Sequence, residues 1–399
     1  QSSICLLSMR KWYLFVIPLH GVLFGLGQEK VTLNGYIKDG LSGETLIGAN
    51  ILVKGTGKTV TSNNFGFFSI TLNKGKYQLT CSYIGYQTNE IDLELNNNTE
   101  QLIQLLPNSA SVLQDVTVSA RRRDNNVKTA QMGKMELSVN TAKALPAFLG
   151  EVDILKTLQL MPGVRNAGEG NAGFYVRGGG PDQNLILLDD AVVYNTGHLF
   201  GFFSVFNSDA IKNVSLIKGG MPAQYGGRLS SVVDIAMKEG NNNKTQIDAG
   251  IGLIASRFSI QGPIKSKKSS FIVSARRTYI DAITKPLISK SSDFYGSGYY
   301  FYDLNAKMNF QISEKDHLYI SGYFGRDKFN FNNAARSFKT LIDWGNATST
   351  VRWNHVFNKK LFSNTTLVYN DYHFNLNGAQ NDFNINLSST APTNPTSPT

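Results

Sequence analysis

At 399 residues with a formal net charge of +10, the chain is long enough for two or three domains of about 100 to 200 residues each, so one small catalytic domain is not its whole. Only 17% of the residues are charged, against 37 Gly, 24 Phe and 17 Tyr, a balance that excludes a disordered chain or a coiled coil and favours β structure. Two cysteines, Cys5 and Cys81, with no CxxC pair or Cys/His cluster, exclude a disulfide scaffold and a structural zinc site.

Met9, Arg10 and Lys11 precede an uncharged stretch from Trp12 to Leu26, with the small residues Gly25 and Gly27 just before Gln28. A basic start, a short apolar run and small residues at its end predict a secretory signal over 1–27, its first residues an upstream extension. The run is interrupted by Pro18 and His20 and falls short of the ~20 residues a membrane-spanning helix needs. Export is expected, with the lone Cys81 a buried small hydrophobe.

Residues 29–107 carry short apolar runs at 31–37, 49–53, 67–72, 77–83, 91–95 and 101–105, separated by Gly and Asn turns. That spacing predicts a small β-sandwich. Gly55-Thr56-Gly57-Lys58-Thr59 ends like a phosphate-binding loop, but position 52 is Leu and the following residues read as turn and strand instead of helix, so a hairpin is expected. Gly43-Glu44-Thr45-Leu46-Ile47-Gly48-Ala49-Asn50-Ile51, Asn64-Phe65-Gly66-Phe67-Phe68 and Ser82-Tyr83-Ile84-Gly85-Tyr86 resemble the carboxypeptidase-regulatory-like domain. In Bacteroidota that domain is commonly fused ahead of TonB-dependent outer-membrane receptors, and the resemblance implies an accessory sandwich without peptidase activity.

In the linker 108–128, Asp115, Val116, Thr117, Val118, Ser119 and Ala120 form a β-prone run beside the charged tract Arg121-Arg122-Arg123. Such a strand has little to pack on, so it is an edge strand or a segment awaiting a partner sheet. It resembles the TonB box, which implies that 115–120 bind TonB. The arginines read as a solvated spacer or a headgroup contact, and no nucleic-acid partner is expected of an exported chain.

Residues 129–240 predict an α+β domain: a helical spacing over 151–160 stopped by Pro162-Gly163, then strands at 174–177, 184–188, 214–218 and 231–236. Asp189-Asp190 could be paired catalytic carboxylates, yet they directly follow an apolar strand where a turn falls, with no His or metal-ligand partner spaced beside them. Arg177-Gly178-Gly179-Gly180 reads as close backbone packing. Leu155 to Val164, Tyr175 to Gly179, Asp182 to Asp189, Phe200 to Asn207 and Lys218 to Ser231 are similar to the plug domain of TonB-dependent receptors. The resemblance implies a plug inside a barrel, with an upper loop at Tyr194, Asn195 and His198 as the candidate ligand contact.

From 241 the period becomes two: Tyr300, Tyr302, Leu304, Ala306, Met308 and Phe310 share one face, and Asp303, Asn305, Lys307, Asn309 and Gln311 the other. Strands are predicted at 245–252, 256–262, 270–279, 300–310, 317–326, 344–357 and 361–374, with long breaks at 281–299 and 328–342 and short ones between. The pattern suits a transmembrane β-barrel, but a soluble antiparallel sheet would alternate in the same way, and the plug resemblance is what favours the membrane. Seven strands cannot close the ~22-stranded barrel of a plugged transporter, so 241–387 are expected to begin a barrel and the chain to be the N-terminal portion of a longer receptor. Residues 388–399 are expected to be unstructured.

The expected fold class is mainly β: an N-terminal sandwich, an α+β plug and the first strands of an incomplete transmembrane antiparallel barrel. The function implied is energised uptake of a scarce or large ligand across the outer membrane, with the sandwich and TonB box in the periplasm. TonB, outer-membrane lipid and an unidentified extracellular ligand are the expected partners, with no cofactor, metal or catalytic residue. A β-modular surface-binding or adhesion protein and a signal-transducing receptor are the rival readings.

Overall fold

The computed structural model describes residues 29–108 and 133–390, apart from 146, 148, 169–170, 266, 334–336, 359–360 and 381–382. The predicted signal (1–27) and the TonB box (115–120) lie outside the described residues.

The first unit comprises β1 (Lys30–Asp39), β2 (Asn50–Val53), β3 (Lys58–Thr61), β4 (Phe67–Asn73), β5 (Gly75–Ser82), β6 (Asn89–Leu95) and β7 (Thr99–Leu105). They form two sheets, β4-β1-β7 and β3-β2-β5-β6. Alternate residues of both, including Leu33, Ile37, Ile51, Val53, Leu79 and Cys81, meet in one core, and burial pushes the Cys81 thiol up to about 11. The phosphate-loop look-alike is the β2–β3 hairpin, closed by Thr56 N–H donating to the Val53 carbonyl, with Gly55 and Gly57 at φ 78° and 65°.

The second unit contains β8 (Lys134–Ser138), α1 (Val139–Lys143), α2 (Ile154–Gln159), β9 (Val164–Asn166), β10 (Phe174–Val176), β11 (Asn184–Leu188), β12 (Ala191–Val192), β13 (Gly197–His198), β14 (Phe203–Ser204), β15 (Ile211–Lys218) and β16 (Ser231–Met237). Its main sheet runs β12-β11-β16-β15-β8. Asp153 caps α2 by accepting from Lys156 N–H at 3.0 Å. Asp189 and Asp190 occupy the tight β11–β12 turn with φ of 47° and 72°, a left-handed pair that Asp tolerates better than most residues. At Gly179 a Cβ would lie 2.4 Å from Ser230 Oγ, which explains the glycine run as close packing.

The third unit is an eight-stranded antiparallel meander: β17 (Gln246–Ile251), β18 (Ala255–Lys265), β19 (Ser269–Thr278), β20 (Gly298–Gln311), β21 (Asp316–Asn333), β22 (Phe338–Asn358), β23 (Leu361–Gln380) and β24 (Phe383–Thr390). A helix, α3 (Ile280–Leu287), occupies the 281–299 break. Two expectations are corrected. The loop expected at 328–342 is mostly strand, because Phe329, Phe331 and Phe338 continue the alternation and Asn333 pairs with Phe338. An eighth strand, unanticipated from sequence, pairs with β23 and carries strand structure to Thr390, into the stretch expected to be unstructured.

The alternation in this meander is inverted relative to a soluble sheet. On β20, Asp303, Asn305, Lys307 and Asn309 are buried against the second unit, with Asp303 only 2% exposed, whereas Leu304 on the opposite face is 45% exposed. Cross-strand register aligns Phe271, Met308, Ile320, Val351 and Leu367 into one outward apolar row. Such a surface is stable against hydrocarbon and is the pattern of a transmembrane wall.

Gly35 on β1 has φ 155°, and a Cβ there would lie 2.0 Å from the Gln101 carbonyl oxygen on β7. Gly35→Ala in a 29–108 fragment is expected to cost about 3 kcal/mol or more and to abolish its cooperative thermal melt. Gly55→Ala meets no neighbouring atom and should cost about 1–2 kcal/mol through its positive φ alone. Equal losses in the two melts would contradict this packing.

Candidate functional site

The second unit sits on the polar face of the strand wall through buried charge, and the elements placing that charge are short. β13 and β14 pair His198 with Phe203, turning the His198 side chain into the wall. Its Nδ1 lies 2.6 Å from Asp327 Oδ2 and its Nε2 2.8 Å from Asp303 Oδ1, while its ring stacks on Phe301 at 3.9 Å between centroids. Asp303 also accepts from Arg276 Nε at 2.9 Å and Nη2 at 2.7 Å, and from the Tyr323 hydroxyl at 2.9 Å. Arg276 then reaches back into the plug, donating to the Ser204 carbonyl at 2.7 Å and to Glu151 at 3.4 Å. Tyr299 donates to Asp327. His198 is 1% exposed. Burial pushes its imidazole pKa down, but the two carboxylates outweigh that and raise it to about 9.

A second joint uses the Asp189-Asp190 turn. Asp189 accepts from Met237 N–H at 3.0 Å and pairs with Lys307 at 2.9 Å, and Asp190 accepts from Arg352 Nη2 at 2.6 Å. Burial alone would raise the Asp189 carboxyl, and Lys307 and Arg352 outweigh it to leave the pKa below the ordinary range. These carboxylates therefore fasten plug to wall, a role the sequence reading of a bare turn missed. The signal that could have found it is the row of inward-facing cations on strands far along the chain.

The loop after β12 lies higher on the wall, away from the sandwich. Tyr194 is clasped there by Asn346, whose side chain accepts its N–H at 3.0 Å and donates to its carbonyl at 2.7 Å, and its ring is 6.0 Å from that of Tyr372. A cavity of about 580 Å³ opens between plug and wall, lined by Phe174, Tyr194, Asn195, Arg228, Trp344 and Phe374 among others. Its size is in the range of small-molecule sites. Of the three sequence-predicted contacts, Tyr194 and Asn195 line this cavity. His198 does not: both of its ring nitrogens are held by carboxylates and its ring is covered, so it is a plug–wall joint and not an exposed contact. Among the described residues no cluster of His, Cys, Asp and Glu could hold a metal ion.

Because the folded pKa of His198 exceeds its unfolded value, the stability it confers is full below about 6.5 and is lost as pH rises through about 9. His198→Asn should destabilise by about 3–5 kcal/mol near pH 6, as expected when one partner of a buried pair is removed. The gap in melting temperature between wild type and variant should narrow as pH rises from 7 to 10. A gap that stays constant over that interval would show that the charge on His198 contributes nothing.

The CarboxypepD_reg-like domain family matches residues 33–118 and the TonB-dependent receptor plug domain family matches residues 130–233. The TonB-dependent receptor SusC of Bacteroides thetaiotaomicron is 26% identical over 232 residues, covering 54% of this chain and 22% of SusC. The chain thus spans about a fifth of the length of that curated relative. Among solved structures, the outer membrane transporter YddB from Escherichia coli is 12% identical, with 62% of this chain and 39% of YddB covered at a TM-score of 0.45. The siderophore receptor PirA from Acinetobacter baumannii is 16% identical, with 62% and 45% covered at a TM-score of 0.37. With the sandwich and the plug each matched in order, the chain carries a CarboxypepD_reg-like domain followed by a TonB-dependent receptor plug domain, and over these it is similar to the TonB-dependent receptor SusC.

Proposed function

We propose that the receptor to which this chain belongs takes up a ligand across the outer membrane, using work delivered by TonB. The observation that carries this reading is the inverted wall: polar residues face the plug and apolar residues face outward, so the plug fills the polar side of a membrane-facing sheet. A plug fastened by ion pairs such as His198–Asp303 and Asp190–Arg352 blocks free diffusion, and passage then requires a force that rearranges it.

The ligand would be held over the cavity between plug and wall, where Tyr194 and Asn195 supply an aromatic face and an amide, and Arg228 a cation. The coupling segment would be Asp115 to Ala120. In strand addition, main-chain hydrogen bonds provide affinity and alternate side chains fix the register. A pull on that segment reaches the plug at β8, which among the described residues is an edge strand paired with β15 alone, through Lys134 to Ser138. Edge pairing is the least supported part of the sheet and is the part of the plug expected to yield first.

Val116→Pro and Val118→Pro each remove a backbone donor and fix φ, which should weaken binding of the purified TonB periplasmic domain at least tenfold. Thr117→Ser should change it less than twofold. Cells carrying the Pro variants at matched receptor abundance should fail to take up ligand. Unchanged TonB binding by the Pro variants would place the coupling segment elsewhere, and unchanged uptake would overturn the transport reading through this segment.

A further inference from the structure

The sandwich has a hydrophobic core of its own, separate from that of the plug, yet it does not hang free. Its turn after β1 exchanges carboxylate contacts with the end of the plug. Glu44 Oε1 accepts the N–H groups of Glu239 at 2.6 Å and Gly240 at 3.0 Å. Glu239 in return accepts from Thr45 Oγ1 at 2.5 Å and from Lys212 Nζ at 3.1 Å. Beside this exchange, Asn242 N–H donates to the Ser42 carbonyl at 2.8 Å and Asn243 Nδ2 to the Leu41 carbonyl at 2.7 Å.

A second turn, between β3 and β4, reaches the wall. The Phe65 and Phe67 rings lie 5.6 and 5.3 Å from Phe362, and Arg352 lies 5.2 Å from the Phe65 ring. Asn64 Nδ2 donates to the plug residue Asp234 at 3.4 Å. Arg352 is the same cation that holds Asp190 of the plug, so the sandwich rests on both sides of the seam at one place.

The seat is built mostly of polar contacts and a few aromatic rings, the composition of an interface that opens without unfolding either partner. We propose that the sandwich is a reversibly seated cap over the plug–wall seam, held by the Glu44–Glu239 exchange and by Phe362. While it is seated, any exit along that seam is closed, and release of the cap is a step separate from movement of the plug. Its purpose rests on the transport reading, but its existence can be measured without ligand or TonB.

Nitroxide labels at Asn97 on the sandwich and Glu314 in the β20–β21 turn, in the full-length receptor in nanodiscs, report the seat by pulsed dipolar spectroscopy. The native receptor should give one narrow distance distribution. Glu44→Ala with Thr45→Val changes only the sandwich turn, and Phe362→Ala changes only the wall. Each should add a second, longer population, raising the unseated fraction at least tenfold. Hydroxyl-radical oxidation of Phe362 should rise severalfold in the Glu44→Ala/Thr45→Val receptor, with outward-facing Phe357 as the unchanged reference. A single unshifted distance in both variants would show a fixed platform and overturn the proposal, and a broad distribution in the native receptor would overturn the seat itself. Failure of TonB binding leaves these readouts untouched.

Discussion

A strand wall that exposes Leu304, Met308 and Ile320 and buries Asp303, Asn305 and Lys307 has one requirement that governs everything else: its polar face must be satisfied by something other than lipid. In this chain that partner is the plug. Each buried wall charge finds an opposite charge or a main-chain dipole, Asp303 and Asp327 through His198, Lys307 through Asp189, and Arg352 through Asp190. Removing one member would strand the other in a low-dielectric seam, and this is why the joints occur as linked groups. The same constraint makes the plug a stopper that is costly to shift and still polar enough to be shifted without exposing a hydrophobic core.

The features legible in the sequence were those with local causes. Period-two alternation located seven of the wall strands, turn glycines located six of the seven sandwich strands, with β3 (Lys58–Thr61) outside the apolar runs, and the apolar strand before Asp189-Asp190 marked a turn. The features that were not legible depend on residues far apart in the chain. His198 reads as a candidate ligand contact on an upper loop until Asp303 and Asp327, more than a hundred positions away, close around it. Asp189 and Asp190 read as turn residues until Lys307 and Arg352 face them. The extension of β21 and β22 through 328–342 was obscured by the polar Asn330, Asn332 and Lys339 between the aromatic residues, which resemble loop composition when taken one at a time. β8 was missed because a short strand that has one neighbour among the described residues carries only a weak pattern.

Three units with separate roles therefore share one mechanical frame. The wall sets the polar surface, the plug answers it, and the sandwich touches both at the seam through Glu44 on one side and Phe65 on the other. The cavity with Tyr194 and Asn195 lies near Trp344 and Phe374, farther along the wall than the sandwich contacts at Arg352 and Phe362.

The central claim is the orientation of the wall, and its two tryptophans report on it directly. Trp344 faces the plug and is 3% exposed, whereas Trp353 faces outward and is 43% exposed. In bilayers containing lipids brominated near the headgroup end of the acyl chain, emission from Trp353, isolated by difference with Trp353→Phe, should be strongly quenched. Emission from Trp344, isolated with Trp344→Phe, should be nearly unaffected. Quenching of Trp344 with Trp353 spared, or of neither, would mean that the apolar face does not meet lipid and would contradict the account.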